Sequence, residues 1–185
     1  MHRIQKISRL MLLVLNFLLL LIPLWNSIIW LFNDRESLAP FFSYSLFVST
    51  PEGMINIATL QLNPLQQFLG ICSSFIGSAP LLIGIIFLKK LFQNYKKGHI
   101  FTLENAKKYQ QLGYFFFLDA FITKPLSDTF SVIATTLNNS PGHRYISVGF
   151  GTPNLETIFC GILVIIISWI MVEAQKLQDD QHLTI

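Results

Sequence analysis

Three ionisable residues, Asp119, Lys124 and Asp128, fall inside one apolar run, and Lys124 lies near its middle. A charged side chain at the centre of a bilayer costs ~2.5–3.5 kcal/mol on insertion scales, so such residues pair with one another or line a watery path. Lys124 and Asp128 are four positions apart and share a helical face, which suits an ion pair. Asp119 and Asp128 fall on opposite sides, so Asp119 needs a partner of its own, such as Thr123 or a group on another helix. Pro125 has no N–H to offer the carbonyl of Phe121 and frees an acceptor at that depth. Two readings stand. One is a buried charged cluster that is structurally satisfied, and the other is a proton or ion path. No second carboxylate or histidine lies at depth in the other apolar runs to extend a relay, which favours the first.

The elements that must hold this cluster are four apolar runs, at about 10–32, 65–92, 113–137 and 155–172. At ~1.5 Å per residue each is long enough to cross a ~30 Å hydrocarbon core. Only 12% of the 185 residues are charged, against about a quarter in soluble domains. The expected fold is an all-α membrane protein. It is a four-transmembrane-helix bundle, a single integral membrane domain over 1–185, with a small extracytoplasmic β-hairpin or three-stranded β-cap. The outer loops are 33–64 and 138–154, and the cytoplasmic loop is 93–112.

Orientation follows from the basic residues. Arg3, Lys6 and Arg9 precede the first run, and Lys89, Lys90, Lys96, Lys97, Lys107 and Lys108 flank the central loop. Lys176 follows the last run, while the two other loops hold only Arg35 and Arg144. The positive-inside rule places both termini and the central loop in the cytoplasm. The first run is about twice the length of a signal-peptide core, and no small-x-small site follows it, so an uncleaved helix is expected.

The first outer loop alternates Phe42, Tyr44, Leu46 and Val48 with serines, turns at Pro51-Glu52-Gly53, and continues in extended character from Met54 to Leu62. That pattern predicts a hairpin. Arg144 to Thr152 is a candidate third strand, entered through the turn-rich 138–142. In the second run, Gly70, Gly77 and Gly84 recur every seven residues, with Ser73 and Ser74 between them. This is a small-residue surface for close helix packing, within the chain or against a second copy. Pro23 places a kink near the middle of the first run.

The central loop carries its own punctuation. Gly98 suits a helix terminator, Thr102 a cap, and Glu104 the first turn of the next helix. The six lysines attract anionic headgroups at ~1 kcal/mol each near the surface. They anchor topology or dock an acidic partner, and Glu173 at the end of the fourth run is placed to pair with one of them.

Familiar catalytic chemistry has no purchase here. His2, His99, His143 and His182 are scattered without metal-ligand spacing, so no metal is expected. Gly149-Phe150-Gly151 lies in a loop rather than between a strand and a helix, and no phosphate loop or nucleophile elbow occurs. Cys72 and Cys160 both fall within predicted spans, which argues against a disulfide framework. No cofactor and no direct nucleic-acid binding are expected.

Two segments carry a resemblance. One is Lys97-Gly98-His99-Ile100-Phe101-Thr102-Leu103-Glu104-Asn105, followed by Leu112-Gly113. The other is Glu173-Ala174-Gln175-Lys176-Leu177 with the closing Asp180-Gln181-His182-Leu183-Thr184-Ile185. Together they resemble the bacterial membrane family catalogued as domain of unknown function 2975, whose members show a KGxIFTxEN loop after the second helix and end in E-x-x-x-L…E-x-DLTV. The chain departs at His182, where an acidic residue is usual, and at Ile185. The resemblance implies four helices and no established activity. Members are often encoded beside a small helix-turn-helix regulator, which implies a cytoplasmic regulatory protein as partner. The reading is a non-enzymatic inner-membrane protein with a sensing or partner-binding role, in contact with membrane lipids. The alternatives are a small transporter or ion-conducting homo-oligomer using the charged cluster, and a lipid-modifying membrane enzyme.

Overall fold

In hydrocarbon every backbone N–H and C=O must be satisfied within its own segment, so long apolar runs become helices. The computed structural model describes residues 2–31, 47–57, 60–140, 142–146 and 155–183. Helix α1 is His2–Leu31, α2 is Pro64–Lys96, α3 is Leu103–Leu118, α4 is Lys124–Thr136 and α5 is Leu155–Leu183. The hairpin strands are β1 (Phe47–Thr50) and β2 (Gly53–Asn56). Helices α1, α2 and α5 are each long and apolar enough to cross a membrane. The fold is an all-α membrane protein with a small β-hairpin.

The expected third span is built in two pieces. A π-helical turn, Asp119–Thr123, joins α3 to α4 without a break in the helical backbone. Its place has a cause. Pro125 cannot donate to Phe121, and its ring crowds that carbonyl. Widening the preceding turn relieves the crowding, which is how helices commonly absorb such a defect. Taken singly, α3 has 16 residues and α4 has 13, and neither would span a bilayer.

The hairpin is present, and its described part spans Phe47 to Asn56. β1 and β2 pair antiparallel, with Val48 opposite Ile55 and Thr50 opposite Gly53. Gly53 takes φ +130°, a conformation open to glycine, and Thr50 Oγ1 donates to its carbonyl at 2.8 Å. Phe42, Tyr44 and Leu46 lie outside the described residues. The second run leaves the strand after Asn56. The expected third strand is not formed at Arg144–Ile146, and 147–152 lie outside the described residues. Among the described residues the sheet therefore has two strands. A two-stranded hairpin is marginal alone. This one is held by burying Val48 and neighbouring Ile57 against Ile29, Trp30, Val132 and Ala134.

The described residues group into two compact units. One draws on Met1–Leu20, Pro80–Ala120 and Pro153–Ile185. Within it α3 packs along α5 where two glycines meet. A Cβ on Gly113 would lie 2.5 Å from Ile165 Cγ1 and 3.0 Å from the carbonyl oxygen of Gly161. Ser168 Oγ donates to the carbonyl of Ala106 at 2.9 Å. Gly84 faces Leu112 in the same unit. The other unit draws on Leu21–Ala79 and Phe121–Thr152. There Gly70 lies under the indole of Trp30 and Gly77 against Ser127. The glycine stripe of α2 thus meets groups of three different helices of its own chain.

Gly70→Ala tests this packing most sharply. Its Cβ would fall 2.0 Å from Trp30 Cε3, and that ring is buried and tethered to Ser74. Overpacking of this kind costs about 1–3 kcal/mol. Thermal unfolding in detergent should show Tm lowered by about 2–4 °C per kcal/mol.

Candidate functional site

Small polar residues one helical turn apart give the second unit a hydrogen-bonded seam. Ser73 Oγ donates to the carbonyl of Ser127 at 2.7 Å and lies 2.6 Å from Ser131 Oγ. Ser127 Oγ returns a bond to the carbonyl of Ser73 at 3.0 Å. Asn26 Nδ2 donates to Ser78 Oγ at 2.8 Å, and Trp30 Nε1 to Ser74 Oγ at 2.8 Å. Gln66 Nε2 donates to the carbonyl of Ala134 at 2.9 Å, and Asn138 Nδ2 to Gln66 Oε1 at 3.0 Å. Among the described residues no buried side-chain nitrogen or oxygen lacks a partner. Such a seam is interhelical glue. In the sequence, Ser73 and Ser74 stand out only as small residues. The repeats Ser74/Ser78 and Ser127/Ser131 were the available signal.

The charged residues behave differently. The structure brings Lys124 and Asp128 together at 3.5 Å, as their spacing predicts, but the pair is not buried in this chain. The side chains are 68% and 54% exposed. The reason lies in the helix face. The buried stripe of α4 is Pro125, Thr129, Val132 and Thr136, with Thr129 and Thr136 back-bonded to the carbonyls of Pro125 and Val132. Lys124 and Asp128 stand one residue off that stripe. Asp119 is half-buried at the start of the π-turn.

In the first unit the central loop is a closed turn built around Asn105. Gly98 ends α2 at φ +88°, donating to the carbonyl of Tyr95 at 3.0 Å. Thr102 caps α3 by accepting from the backbone N–H of Asn105 at 3.2 Å. The Asn105 side chain is fully buried. Its Nδ2 donates to the carbonyls of His99 and Ile100 at 2.9 and 2.8 Å, and its Oδ1 accepts from Asn94 at 2.8 Å. Tyr95 and Tyr109 share a hydroxyl bond of 2.9 Å below the turn. Lys108 pairs with Glu104 and holds its carboxyl below the usual range. The role of Asn105 was not legible, because its partners are carbonyls brought near only by the finished turn.

This turn carries the expected contact residues. Lys90, Lys96, Lys97 and Lys107 are exposed, while Lys89 and Lys108 are half-buried. Phe101 and Leu103 are exposed beside them, at 45% and 47%. Glu173 pairs with Lys176 at 3.1 Å, one turn along α5, and not with a loop lysine as expected. The intrahelical partner is closer at hand and costs less side-chain ordering.

At the hairpin, the Glu52 carboxylate accepts from His143 Nδ1 at 2.7 Å and from the Tyr145 hydroxyl. The Tyr145 bond first, then that of His143, holds Glu52 below its ordinary 4.5. Among the described residues no group of histidine, cysteine and carboxylate side chains could hold a metal ion.

Two outcomes follow. A carboxylate with a depressed folded pKa favours the clasped form above its unfolded pKa and loses that contribution as pH falls through the folded value. Amide exchange over 142–146 should therefore accelerate in acid, below the ordinary 4.5, and Glu52→Gln should abolish that acid dependence. Asn105→Ala strands two carbonyls of the central turn. It should cost about 1–3 kcal/mol and speed proteolysis over 97–103.

No curated protein and no solved structure matches the chain. The family model described as "Protein of unknown function (DUF2975)" matches residues 30–185, which include both the 97–105 loop and the 173–185 tail. By that match over most of its length, the chain belongs to the DUF2975 family of proteins of unknown function.

Proposed function

We propose that this chain is a non-enzymatic multi-pass protein of the bacterial inner membrane that binds a regulatory protein at its cytoplasmic face. The lysine distribution supports a cytoplasmic location for both termini and the 93–112 loop. One observation carries the reading. The turn closed by Asn105 presents Phe101 and Leu103, exposed at 45% and 47%, and Lys96, Lys97 and Lys107, close by in sequence, are exposed as well. Preorganised apolar anchors lose little freedom on binding, and a cationic rim steers an acidic partner. The partner proposed is a small cytoplasmic helix-turn-helix regulator with an acidic surface around an apolar cleft. The hairpin, clasped through Glu52, His143 and Tyr145, is the proposed input face.

The test is binding of a purified small helix-turn-helix regulator with an acidic surface to the full chain in nanodiscs. Phe101→Ala with Leu103→Ala should weaken binding by about ten-fold or more, in the range of interface anchors, with thermal stability retained. Equal binding by wild type and the double variant sinks the proposal.

A further inference from the structure

We propose that the exposed Lys124–Asp128 pair is the centre of an interface with a second copy of this chain. Its level along the fold comes from the contacts of α4. Ser127 packs on Gly77 and bonds Ser73, and Ser131 bonds Ser73. Ser73 and Gly77 lie near the middle of the charge-free stretch of α2 that runs from Pro64 to Leu88. Lys124 and Asp128 flank Ser127, so they stand level with the middle of the apolar stretch of α2 while facing outward. Lipid offers neither an acceptor nor a donor there, and each charge would cost ~2.5–3.5 kcal/mol.

The pair does not satisfy itself. At 3.5 Å it is longer than a charge-assisted hydrogen bond of about 2.7–2.9 Å. An ammonium has three donors and a carboxylate about four acceptor sites. Among the described residues no other ion pair is made by either group. The second copy is the occupant that the charges themselves select. The patch holds one cation and its complement one helical turn apart. Two copies inserted in the same sense are related by an axis along the membrane normal, and such an interface is isologous. The Lys124 stem spans one turn, so each ammonium can reach the Asp128 of the other copy while keeping its own. Phe121, three residues before Lys124 and 49% exposed, supplies apolar area beside the charges. Lys124 and Asp128 then serve assembly, whatever the cytoplasmic turn binds.

The experiment is dilution of the labelled full chain in liposomes, with copy number read by single-molecule photobleaching. Wild type should show two-step bleaching that persists on dilution. Lys124→Met combined with Asp128→Asn should weaken association about ten-fold. The exchanged pair, Lys124→Asp with Asp128→Lys, should restore it. Detergent unfolding confirms that each variant folds. A second readout uses Cys72→Ser, Cys160→Ala and Phe121→Cys together. Oxidation in membranes should link two copies through position 121, whereas Leu126→Cys, two residues from either charge and on the other side of α4, should not in the same background. A monomeric wild type at all lipid ratios, or a neutral double variant that associates like wild type, overturns the proposal.

Discussion

The constraint on which this structure depends is that a polar group in hydrocarbon must find its partner inside the protein. It makes the apolar runs helical, because a helix closes its backbone bonds within itself. It also governs the side chains. Serines on α2 and α4 bond to one another and to each other's carbonyls. The indole of Trp30 and the amide of Asn26 end on Ser74 and Ser78. Glycines at the crossings let helices approach closely enough for such short bonds. The π-turn before Pro125 belongs to the same account: the backbone widens where proline removes a donor, and the helix continues.

A short family motif is explained by the same accounting at a helix-to-helix corner. Gly98 supplies a left-handed residue, Thr102 a cap, Glu104 an ion pair and Asn105 a buried clamp on two loop carbonyls. Every one of these residues acts on the turn's own backbone or on its neighbour. The motif therefore marks a geometry rather than a chemistry. What the geometry presents is Phe101 and Leu103, which take no part in holding the turn and stand exposed upon it.

Signals that are local in sequence were legible. Hydropathy located the helices. Gly98, Thr102 and Glu104 were assignable because caps act within one turn of chain, and Pro51-Glu52-Gly53 marked the hairpin for the same reason. Signals that need two distant segments were not. Gly113 and Gly161 are single glycines on different helices, and no spacing within either announces their meeting. Asn105 looks like any polar residue in a first turn until the loop folds over it. The second run leaves the strand after Asn56 because Ile57 is drawn into the cluster with Trp30 and Val132, a contact between distant segments. For Lys124 and Asp128, spacing showed that they share a face, but not which way that face turns. The buried stripe through Pro125, Thr129, Val132 and Thr136 decides that.

The serine seam and the ion pair lie at similar levels of α4, and the chain treats them oppositely. A hydroxyl is satisfied by one or two bonds, and a neighbouring helix supplies these from its own serines and carbonyls. A full charge needs more partners, and burying it incompletely solvated is expensive even beside its counter-ion. Enclosing Lys124 within the unit would have required further acceptors beyond the serines, whose oxygens are already engaged with one another and with backbone carbonyls. Turning it outward instead leaves Ser73, Ser127 and Ser131 to close the interior without a charge among them. The unmet electrostatic requirement is thereby moved to the outer surface of α4. In the proposed assembly it is met there by a surface of matching charge at the same depth, which another copy of the same helix supplies by symmetry.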